Sequence, residues 1–334
     1  PTVAPSTAEA PIPGTGSLWR VEADGSVSEV APIWQLERDN NPISAEVDTH
    51  PYGLLAAADG NLWVADAGMN ALLKVDPVTG DAEIVAAFDP VPGVFPNPAY
   101  DNEMLTDAVP TGVAVADGVT YVSYLPGAPF IPGSAKVVSV AEDGSVSDYA
   151  TGLSMLTDLR TGPDGMLYAT QLGLVTEQGP VPNSGAVIRI KAGDASEVVI
   201  PNLMFPTSID FNADGDAFVT VNGVGAPGSG QVVKFAGLTD MAGAPVAAAM
   251  AAMAPPAEET MQAAPTEEAM AETTPTAETM QAAPTEEAVT AEQTPAVMPV
   301  TGADAGERSN AILVVIAFLV LLTGAILFGQ RQAA

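Results

Sequence analysis

Between residues 16 and 237, the chain consists largely of short runs in which apolar and polar residues alternate. Such alternation is typical of strands that bury one face. Four stretches share one pattern, an alternating run, an Asp-Gly pair and a second run rich in aromatic and β-branched residues. They are PYGLLAAADGNLWVAD from Pro51, PTGVAVADGVTYVSY from Pro110, LTDLRTGPDGMLYATQ from Leu156 and PTSIDFNADGDAFVTV from Pro206. An Asp-Gly pair between alternating runs predicts a tight hairpin, whose turn residues need positive φ.

Further alternating runs follow each predicted hairpin. A third run is present in all four units (ALLKVD, AKVVSV, AVIRIK and QVVKFA), and a fourth is present in three (AEIVAAF, SVSDYAT and SEVVIPN). The units begin at intervals of 46 to 59 residues. Four antiparallel strands repeated at such intervals are typical of propeller blades. The sequence therefore predicts an all-β fold, a β-propeller of four-stranded antiparallel blades over residues 16–237.

The number of strands does not complete a whole number of blades. The run SLWRVEADGSVSEVA, residues 17–31, matches the third and fourth strands of a blade, and the last unit has only three strands. The total is 17 strands, or about four to five blades. Either the N-terminal pair closes a small ring with the last unit, or upstream blades belong to a six-bladed ring. The second interpretation is favoured because the chain begins at Pro1 without a methionine or a secretory signal.

Residues 238–310 differ sharply from the repeats. They are rich in Ala, Pro, Thr, Glu and Met, and they contain ETMQAAPTEEA twice, at 259–269 and 278–288. Between residues 238 and 307 there are 12 acidic residues and no Lys or Arg. Because this composition offers little apolar area to bury, the segment is predicted to be a disordered stalk. Residues 1–15 are predicted to be disordered or a linker.

Residues 311–328, AILVVIAFLVLLTGAILF, form an uncharged and mostly apolar run. As a helix, it would extend about 27 Å, enough to cross the hydrocarbon core of a bilayer. Arg331 lies in the following tail, residues 329–334, so the positive-inside rule predicts an external N-terminus and a cytoplasmic tail. The sequence thus predicts a single-pass protein at the cell surface, with the membrane as a partner.

The pentapeptide Met298-Pro299-Val300-Thr301-Gly302 precedes the apolar run. It resembles the sortase signal Leu-Pro-x-Thr-Gly, with Met in place of Leu. That resemblance implies a sortase-like transpeptidase as a partner, cleavage between Thr301 and Gly302, and attachment at the surface. The alternative is an uncut linker before the anchor. Both interpretations place the protein at the cell surface.

The composition excludes several classes of function. The net charge of −31 repels phosphate backbones, so nucleic-acid binding is not expected. The absence of cysteine excludes disulfides, thiol nucleophiles and Cys-ligated zinc. The single histidine, His50, has no neighbours in the sequence that indicate a triad or a zinc site, and we interpret it as a loop residue.

The repeats resemble the ScyD/ScyE family of secreted propellers, which is related to NHL and lactonase-type six-bladed propellers. The resemblance lies in residues 49–77, 108–137 and 156–169 and continues into the last unit. It includes the run ADAGMN after PYGLL and the Gly/Pro-rich loop that follows PTGVAV. At Tyr124 the sequence departs from it, because the family is expected to have a glutamate there. The resemblance indicates fold more than activity.

Lactonase-type propellers hold a divalent metal in the central channel, so the resemblance implies candidate polar ligands at the ends of inner strands. The candidates on the ligand face are Asp66, Asn70, Tyr124, Phe130, Asp158, Asp210 and Asn222. A divalent cation such as Ca²⁺ is the cofactor that this implies, although no metal ligand can be assigned. For the Asp and Asn residues the alternatives are loop capping, in which they accept hydrogen bonds from nearby amides, or solvation in the channel.

Three hypotheses about function follow. The first is a membrane-tethered propeller that binds an unknown ligand or surface partner through its loops. The Pro-rich segments 88–105 and 125–133 would supply these loops. They are predicted either to expose Phe95, Tyr100 and Phe130 or to pack these side chains on the propeller. The second is a metal-dependent lactonase or hydrolase. The third is a structural coat protein. No pair of catalytic carboxylates is evident, so the enzyme hypothesis is not favoured and no catalytic residue is assigned.

Overall fold

A computed structural model describes residues 15–43, 47–176 and 179–254, all within one compact unit. These residues form two α-helices, two short 3₁₀ helices at Pro98–Tyr100 and Leu238–Asp240, and 22 strands. The α-helices are α1 (Ile33–Asn40) and α2 (Val246–Met253). The strands are β1 (Leu18–Val21), β2 (Val27–Ala31), β3 (Pro51–Ala56), β4 (Leu62–Asp66), β5 (Ala71–Val75), β6 (Ala82–Ala87), β7 (Val91–Asn97), β8 (Glu103–Thr106), β9 (Pro110–Ala116), β10 (Val119–Tyr124), β11 (Ala135–Val140), β12 (Val146–Leu153), β13 (Leu156–Thr161), β14 (Leu167–Gln171), β15 (Val175–Thr176), β16 (Gly179–Pro180), β17 (Gly185–Ile190), β18 (Glu197–Leu203), β19 (Ser208–Phe211), β20 (Ala217–Val221), β21 (Gln231–Phe235) and β22 (Ala244–Pro245).

The strands form four antiparallel blades in a propeller arrangement. Blade 1 has the order β3-β4-β5-β6, and blade 2 has β9-β10-β11-β12. Blade 3 is β13-β14-β17-β18 with β22 added at its outer edge, and blade 4 is β19-β20-β21. The hairpins β1-β2, β7-β8 and β15-β16 are separate sheets. The all-β propeller prediction is confirmed. Blades 1, 2 and 3 each contain the four predicted strands, and blade 4 contains the three predicted strands.

The core lies between blades, and neighbouring residues on one strand point into different interfaces. In blade 1, Leu72 faces blade 2 whereas Leu73 faces the N-terminal hairpin. In blade 2, Val138 faces blade 1 and Val137 faces blade 3, and all four side chains are fully buried. Because side chains alternate across a strand, a strand between two blades buries both of its faces.

The two ends of the series leave a blade face open. On blade 4, Phe218 and Val232 are 37% and 67% exposed, on the side away from blade 3. On blade 1, Tyr52 and Leu54 are 52% and 47% exposed, on the side away from blade 2. The hairpin β1-β2 covers only part of that side, where Ala31 and Ile33 pack against Val64 and Leu73. Neither β1 nor β2 pairs with β21 among the described residues.

The Asp-Gly turns follow two geometries rather than the one predicted. At Asp117-Gly118 both residues have positive φ, 50° and 77°, and a two-residue turn joins β9 to β10. In five other turns only the glycine has positive φ, because the loop has three residues and the glycine takes its left-handed position. In four of them the aspartate carboxylate accepts a hydrogen bond from the amide two residues later, from Ser26 to Asp24, Asn61 to Asp59, Ser145 to Asp143 and Met166 to Asp164. In the fifth, Asp214-Gly215, the amide of Asp216 donates to the side chain of Asn212 instead.

Threonine hydroxyls connect the inner strands of successive blades. Thr111 Oγ1 donates to the carbonyl oxygen of Leu156 in blade 3 at 2.7 Å. Thr157, at the same place in blade 3, donates to the carbonyl oxygen of Pro206 at 3.0 Å, before blade 4. Both threonines are buried. A buried hydrogen bond of this kind fixes the spacing of two blades. If the blades moved apart, the buried carbonyl oxygen would lose its donor and could not bind water in its place, which costs free energy.

Residues 238–254, which the sequence analysis assigned to the stalk, instead continue the fold. Strand β22 pairs with β18, and Leu238 and Val246 are buried. Met250 and Met253 of α2 pack against the core between blades 2 and 3. The apolar composition of VAAAMAAM explains the difference, since these residues have a sheet surface to cover.

The remaining predicted segments, residues 1–14 and 255–334, lie outside the described residues. They include most of the predicted stalk, the MPVTG motif, the apolar run 311–328 and the tail. Within residues 15–43, 47–176 and 179–254, the structure has no helix whose length and hydropathy suit a membrane span.

The threonine connection can be tested with Thr157→Val, which removes the hydroxyl and retains the shape. Because the carbonyl of Pro206 would lose a buried donor, the free energy of unfolding should fall by about 1–3 kcal/mol. Urea denaturation of the full chain measures this. Thr151→Val is the matched control, since Thr151 is exposed, and should change stability by less than about 0.5 kcal/mol. Equal effects of the two substitutions would contradict the role of Thr157.

Candidate functional site

The strand connections divide the propeller into two faces. One face, here called the loop face, carries the connections from the second to the third strand of each blade and those between blades. The opposite face, here called the turn face, carries the Asp-Gly turns and the turns from third to fourth strand. Asp66, Tyr124 and Gln171 end the second strands of three blades and therefore lie at the loop face.

Asp66 is a buried carboxylate that organises the loop after β4. Its Oδ1 accepts hydrogen bonds from the amides of His50 at 2.8 Å, Met69 at 3.0 Å and Gly68 at 3.2 Å. A side chain at Gly68 is excluded, because a Cβ there would lie 1.4 Å from the carbonyl oxygen of Asp48. The Oδ2 atom of Asp66 is buried and has no hydrogen-bond partner among the described residues. The loop-capping alternative thus accounts for one oxygen of Asp66 and leaves the other unexplained.

A second buried carboxylate, Glu37 of α1, is a residue that the sequence reasoning missed. It is fully buried and accepts hydrogen bonds from the amide of Asp48, at 3.1 Å, and from the hydroxyl of Thr49. Burial raises the pKa of Glu37, and burial raises the pKa of Asp66 to about 7, with the nearby charge of Glu37 adding to it. A polar residue on the covered side of α1 is the only sequence signal of this pair.

Asn70 joins blade 1 to the approach to blade 2. Its backbone has a φ of 54°, its Nδ2 donates to Asp107 at 3.2 Å, and its Oδ1 accepts from the amide of Val109 at 2.9 Å. Asp107 also accepts a hydrogen bond from the hydroxyl of Tyr100, at the end of the β7-β8 hairpin. Asn70 therefore supports the hairpin through Asp107. Burial raises the pKa of the Tyr100 hydroxyl, and its hydrogen bond to Asp107 adds to this.

The two aromatic candidates pack within the propeller. Tyr124 is 2% exposed, and its ring meets Phe88 edge to face at 5.3 Å between centroids. Phe130 has a φ of 60° and packs, half-buried, against a loop-face cluster that contains Met155 and Phe205. The position where the resemblance implies a glutamate thus holds a packed aromatic ring.

Asp158 connects the inner strands of blades 3 and 4. Its Oδ2 accepts hydrogen bonds from the hydroxyl of Ser208 at 2.7 Å and from the amide of Ile209 at 3.1 Å. Its Oδ1 pairs with the Arg160 guanidinium at 3.0 Å. Burial raises the pKa of Asp158, and the Arg160 charge opposes this. Its Oδ1 also accepts a hydrogen bond from the amide of Leu159 at 2.8 Å, so each carboxylate oxygen has two partners and the residue has a clear structural role.

The last two candidates are separate from the others. Asp210 is exposed, and its carboxylate accepts a hydrogen bond from the amide of Phe211 at 2.8 Å. Asn222 has a φ of 55°, and its Nδ2 donates to the carbonyl oxygen of Ser229 at 3.2 Å within the β20-β21 loop. Among the described residues, no group of three or more His, Asp or Glu side chains is placed to hold a metal ion. The candidates are therefore distributed over several blade junctions.

The most unusual surface of the loop face is the β7-β8 hairpin, within a segment predicted only as a Pro-rich loop. It exposes Val94, Phe95 and Met104, which are 44%, 66% and 49% exposed. Tyr100, in the 3₁₀ turn that joins β7 to β8, donates to Asp107, which follows β8. Within the hairpin, the side chain of Asn97 donates to the carbonyl oxygen of Leu105 at 3.1 Å. A fixed element thus presents a group of apolar side chains to solvent, which is typical of a binding surface.

The fold defines the class of the protein, an all-β propeller. No protein-family model matches the chain, and no curated protein matches it. Among solved structures, a streptogramin B lyase is 15% identical, with a TM-score of 0.40, over 66% of this chain and 62% of that chain. A virginiamycin B lyase from Staphylococcus aureus is 16% identical, with a TM-score of 0.38, over 66% of this chain and 63% of that chain. A gluconolactonase from Xanthomonas campestris is 16% identical, with a TM-score of 0.42, over 69% of this chain and 68% of that chain.

This chain spans less than two thirds of the length of the two lyases. Similarities at this level do not transfer an activity, and the resemblance to the ScyD/ScyE family stays a prediction.

The buried carboxylates make stability depend on pH in a defined direction. In the unfolded chain an aspartate titrates near 3.8, whereas Asp66 in the fold titrates near 7, so the folded state binds the extra proton between these values. Stability should therefore fall as pH rises from about 4 to 7, by at most about 1.4 kcal/mol per pH unit from this group.

Asp66→Asn removes this titration. Urea denaturation at pH 4.5 and pH 8 should show a smaller loss of stability on going to pH 8 in the variant than in the natural chain. Asp210→Asn, at an exposed position, is the control and should follow the natural chain. The same pH dependence in all three proteins would contradict the assignment to Asp66.

Proposed function

We propose that this protein is a cell-surface propeller that binds a partner protein through its loop face, with the β7-β8 hairpin as the recognition element. The observation that supports the proposal is the exposed apolar group Val94, Phe95 and Met104 on a hairpin whose turn is tied to the propeller through Tyr100 and Asp107. The lactonase and coat-protein hypotheses have no comparable feature in their favour, and a divalent cation stays a prediction from the sequence.

The chemistry of the hairpin indicates what kind of partner it would bind. An exposed aromatic side chain is a frequent anchor in protein interfaces, where it fills a pocket and excludes water. Asp89, Asp101 and Glu103 are exposed around the hairpin, and no basic residue occurs between positions 75 and 135. The partner surface is therefore an apolar pocket with a rim of Lys or Arg, whose charge would also speed the encounter.

The hairpin is also held in position before binding, which favours its role in recognition. A flexible loop would lose conformational entropy when it binds, which lowers affinity. The chain from Asn70 through Asp107 to Tyr100 holds the hairpin before any partner is present. Binding would then retain more of the free energy from burying Phe95.

The double substitution Phe95→Ser and Met104→Ser tests this function. Both side chains are about half exposed or more, so stability should change by less than about 1 kcal/mol. The full chain and the variant, each immobilised, are compared for proteins retained from the surface fraction of the source cells. A specific partner should be retained by the natural chain and lost at least tenfold in the variant.

Val78→Ser is the matched control, because Val78 is 89% exposed and lies in the β5-β6 turn on the turn face. It should retain the partner at the natural level. The partner identified in this way should then bind the purified full chain, with an affinity that weakens as salt increases. The proposal fails if the double variant retains the same proteins as the natural chain.

The proposed location rests on the sequence of residues 238–334. Residues 255–310 would continue from α2 as an acidic stalk, and residues 311–328 would cross the membrane with the N-terminus outside. A sortase-like enzyme cleaving between Thr301 and Gly302 would instead attach Thr301 to a surface amine.

Mass spectrometry of the protein extracted from the cell surface distinguishes the two anchors. Sorting predicts a C-terminal peptide that ends at Thr301 and carries the mass of the attached amine. A peptide that continues past Gly302 contradicts complete sorting and supports the uncut anchor. Thr301→Ala provides the control, because it should remain uncut under either mechanism.

A further inference from the structure

A cleft between blades 2 and 3 opens on the turn face, opposite the proposed partner-binding hairpin. Its volume is about 250 Å³, and it opens to solvent. Two tyrosines of blade 2, Tyr121 and Tyr149, form one wall, and Met166, Leu167 and Ile190 of blade 3 form the other. Asp117 lies in the lining at the β9-β10 turn. The cleft thus combines aromatic and aliphatic walls with a few polar groups, which is the usual composition of a small-ligand site.

The polar groups of the cleft have unused hydrogen-bonding capacity. The rings of Tyr121 and Tyr149 lie at 4.7 Å between centroids, tilted by 58°. Within residues 15–43, 47–176 and 179–254, neither phenol hydroxyl forms a hydrogen bond with protein, and neither does the Asp117 carboxylate. Burial raises the pKa of Tyr121, and the nearby Tyr149 and Asp117 add to this.

The geometry of its turn explains why the Asp117 carboxylate is available. In four of the other Asp-Gly turns, such as Asp143-Gly144, the aspartate accepts a hydrogen bond from the amide two residues later. The β9-β10 turn has only two residues, and both have positive φ, so that contact does not form. Asp117 therefore presents two acceptor oxygens at the edge of the cleft.

Backbone hydrogen bonds between the blades fix the shape of the cleft. The turn from β17 to β18 rests on β12, where the amide of Gly193 donates to the carbonyl oxygen of Tyr149 at 2.7 Å. The amide of Thr151 donates in return to the carbonyl oxygen of Gly193 at 2.8 Å. Lys191, another lining residue, is held by an ion pair with Glu197 at 2.7 Å. A site fixed in this way loses little entropy when a ligand binds.

We propose that this cleft binds a single pyranose ring of a neutral sugar, which stacks against Tyr121 or Tyr149 and is hydrogen-bonded through its hydroxyls to Asp117 and the two phenol groups. A pyranose has an apolar face of C–H groups and an edge of hydroxyl groups, which matches an aromatic wall beside unsatisfied acceptors and donors. The volume of the cleft suits one ring rather than an extended chain.

The charges of the cleft favour a neutral ligand over an ionic one. An anion would face the Asp117 carboxylate, and Lys191, the one cation among the described residues that line the cleft, is already paired with Glu197. A purely apolar ligand would gain no hydrogen bond from the exposed Asp117 carboxylate or from the two phenol groups. A polyhydroxylated ring satisfies all three groups.

The test uses the full chain in a zwitterionic detergent that contains no sugar. The probes are the methyl glycosides of glucose, galactose, mannose, xylose and N-acetylglucosamine, measured by saturation-transfer NMR and calorimetric titration up to 100 mM. At least one of them should bind. Asp117→Asn should weaken that binding about tenfold or more, since it removes an ionised acceptor while Asn keeps the left-handed turn. Tyr121→Phe and Tyr149→Phe should each weaken it by about threefold to tenfold.

Tyr52→Phe is the matched control, because Tyr52 is exposed on the open face of blade 1 and should leave sugar binding unchanged. Thermal unfolding of every variant within about 3 °C of the natural chain shows that the fold is retained. The proposal is overturned if no glycoside binds at 100 mM, or if a bound glycoside keeps its affinity in Asp117→Asn and both tyrosine variants. Neither result affects the partner-binding proposal, which concerns the opposite face.

Discussion

Burial of both faces of each inner blade is the constraint on which this structure depends. The middle strands of blades 2 and 3 send alternate side chains into two interfaces, as Val137 and Val138 of β11 do, and neither interface exists until the next blade is present. A single blade could therefore not bury enough apolar area to be stable, which is the general condition of repeat architectures. The blade faces at the two ends of the series remain partly exposed, at Phe218 and Val232 on one side and at Tyr52 and Leu54 on the other.

The same constraint determines where polar groups occur. At the junctions between blades, water is excluded, so each polar side chain there must find a partner within the protein. Thr111 and Thr157 do so by reaching a carbonyl of the next blade, and Asp158 does so through Ser208 and Arg160. Among the described residues, Asp66 and Gln171 are exceptions, each with one buried side-chain oxygen that has no hydrogen-bond partner. For Asp66, burial also raises the pKa. Several of the polar candidates thus connect neighbouring blades. The proposed functions involve other surfaces, the β7-β8 hairpin and the cleft between blades 2 and 3.

The two faces of the propeller are suited to different ligands because they are built from different connections. Long connections between blades leave room for an inserted hairpin on the loop face, where Phe95 is exposed. Short turns on the turn face bring neighbouring blades close together but leave a wedge between Tyr149 and Ile190. A convex apolar hairpin suits a macromolecular surface, whereas a narrow cleft with unsatisfied hydroxyl groups suits a small polar ring.

The sequence by itself determined the all-β class, the strands of the four blades and their order, because alternation of apolar residues and Asp-Gly pairs are local signals. It could not distinguish the two turn geometries, since the length of the loop at Asp117 depends on the register of β9 with β10. It also misplaced the boundary at residue 238, because the apolar helix α2 has a role only against a sheet that distant residues form. The buried pair Glu37 and Asp66, the exposure of Phe95 and the cleft at Tyr121 and Tyr149 were decided by tertiary structure alone. Each arises where segments far apart in the chain come into contact, and local sequence patterns do not predict such contacts.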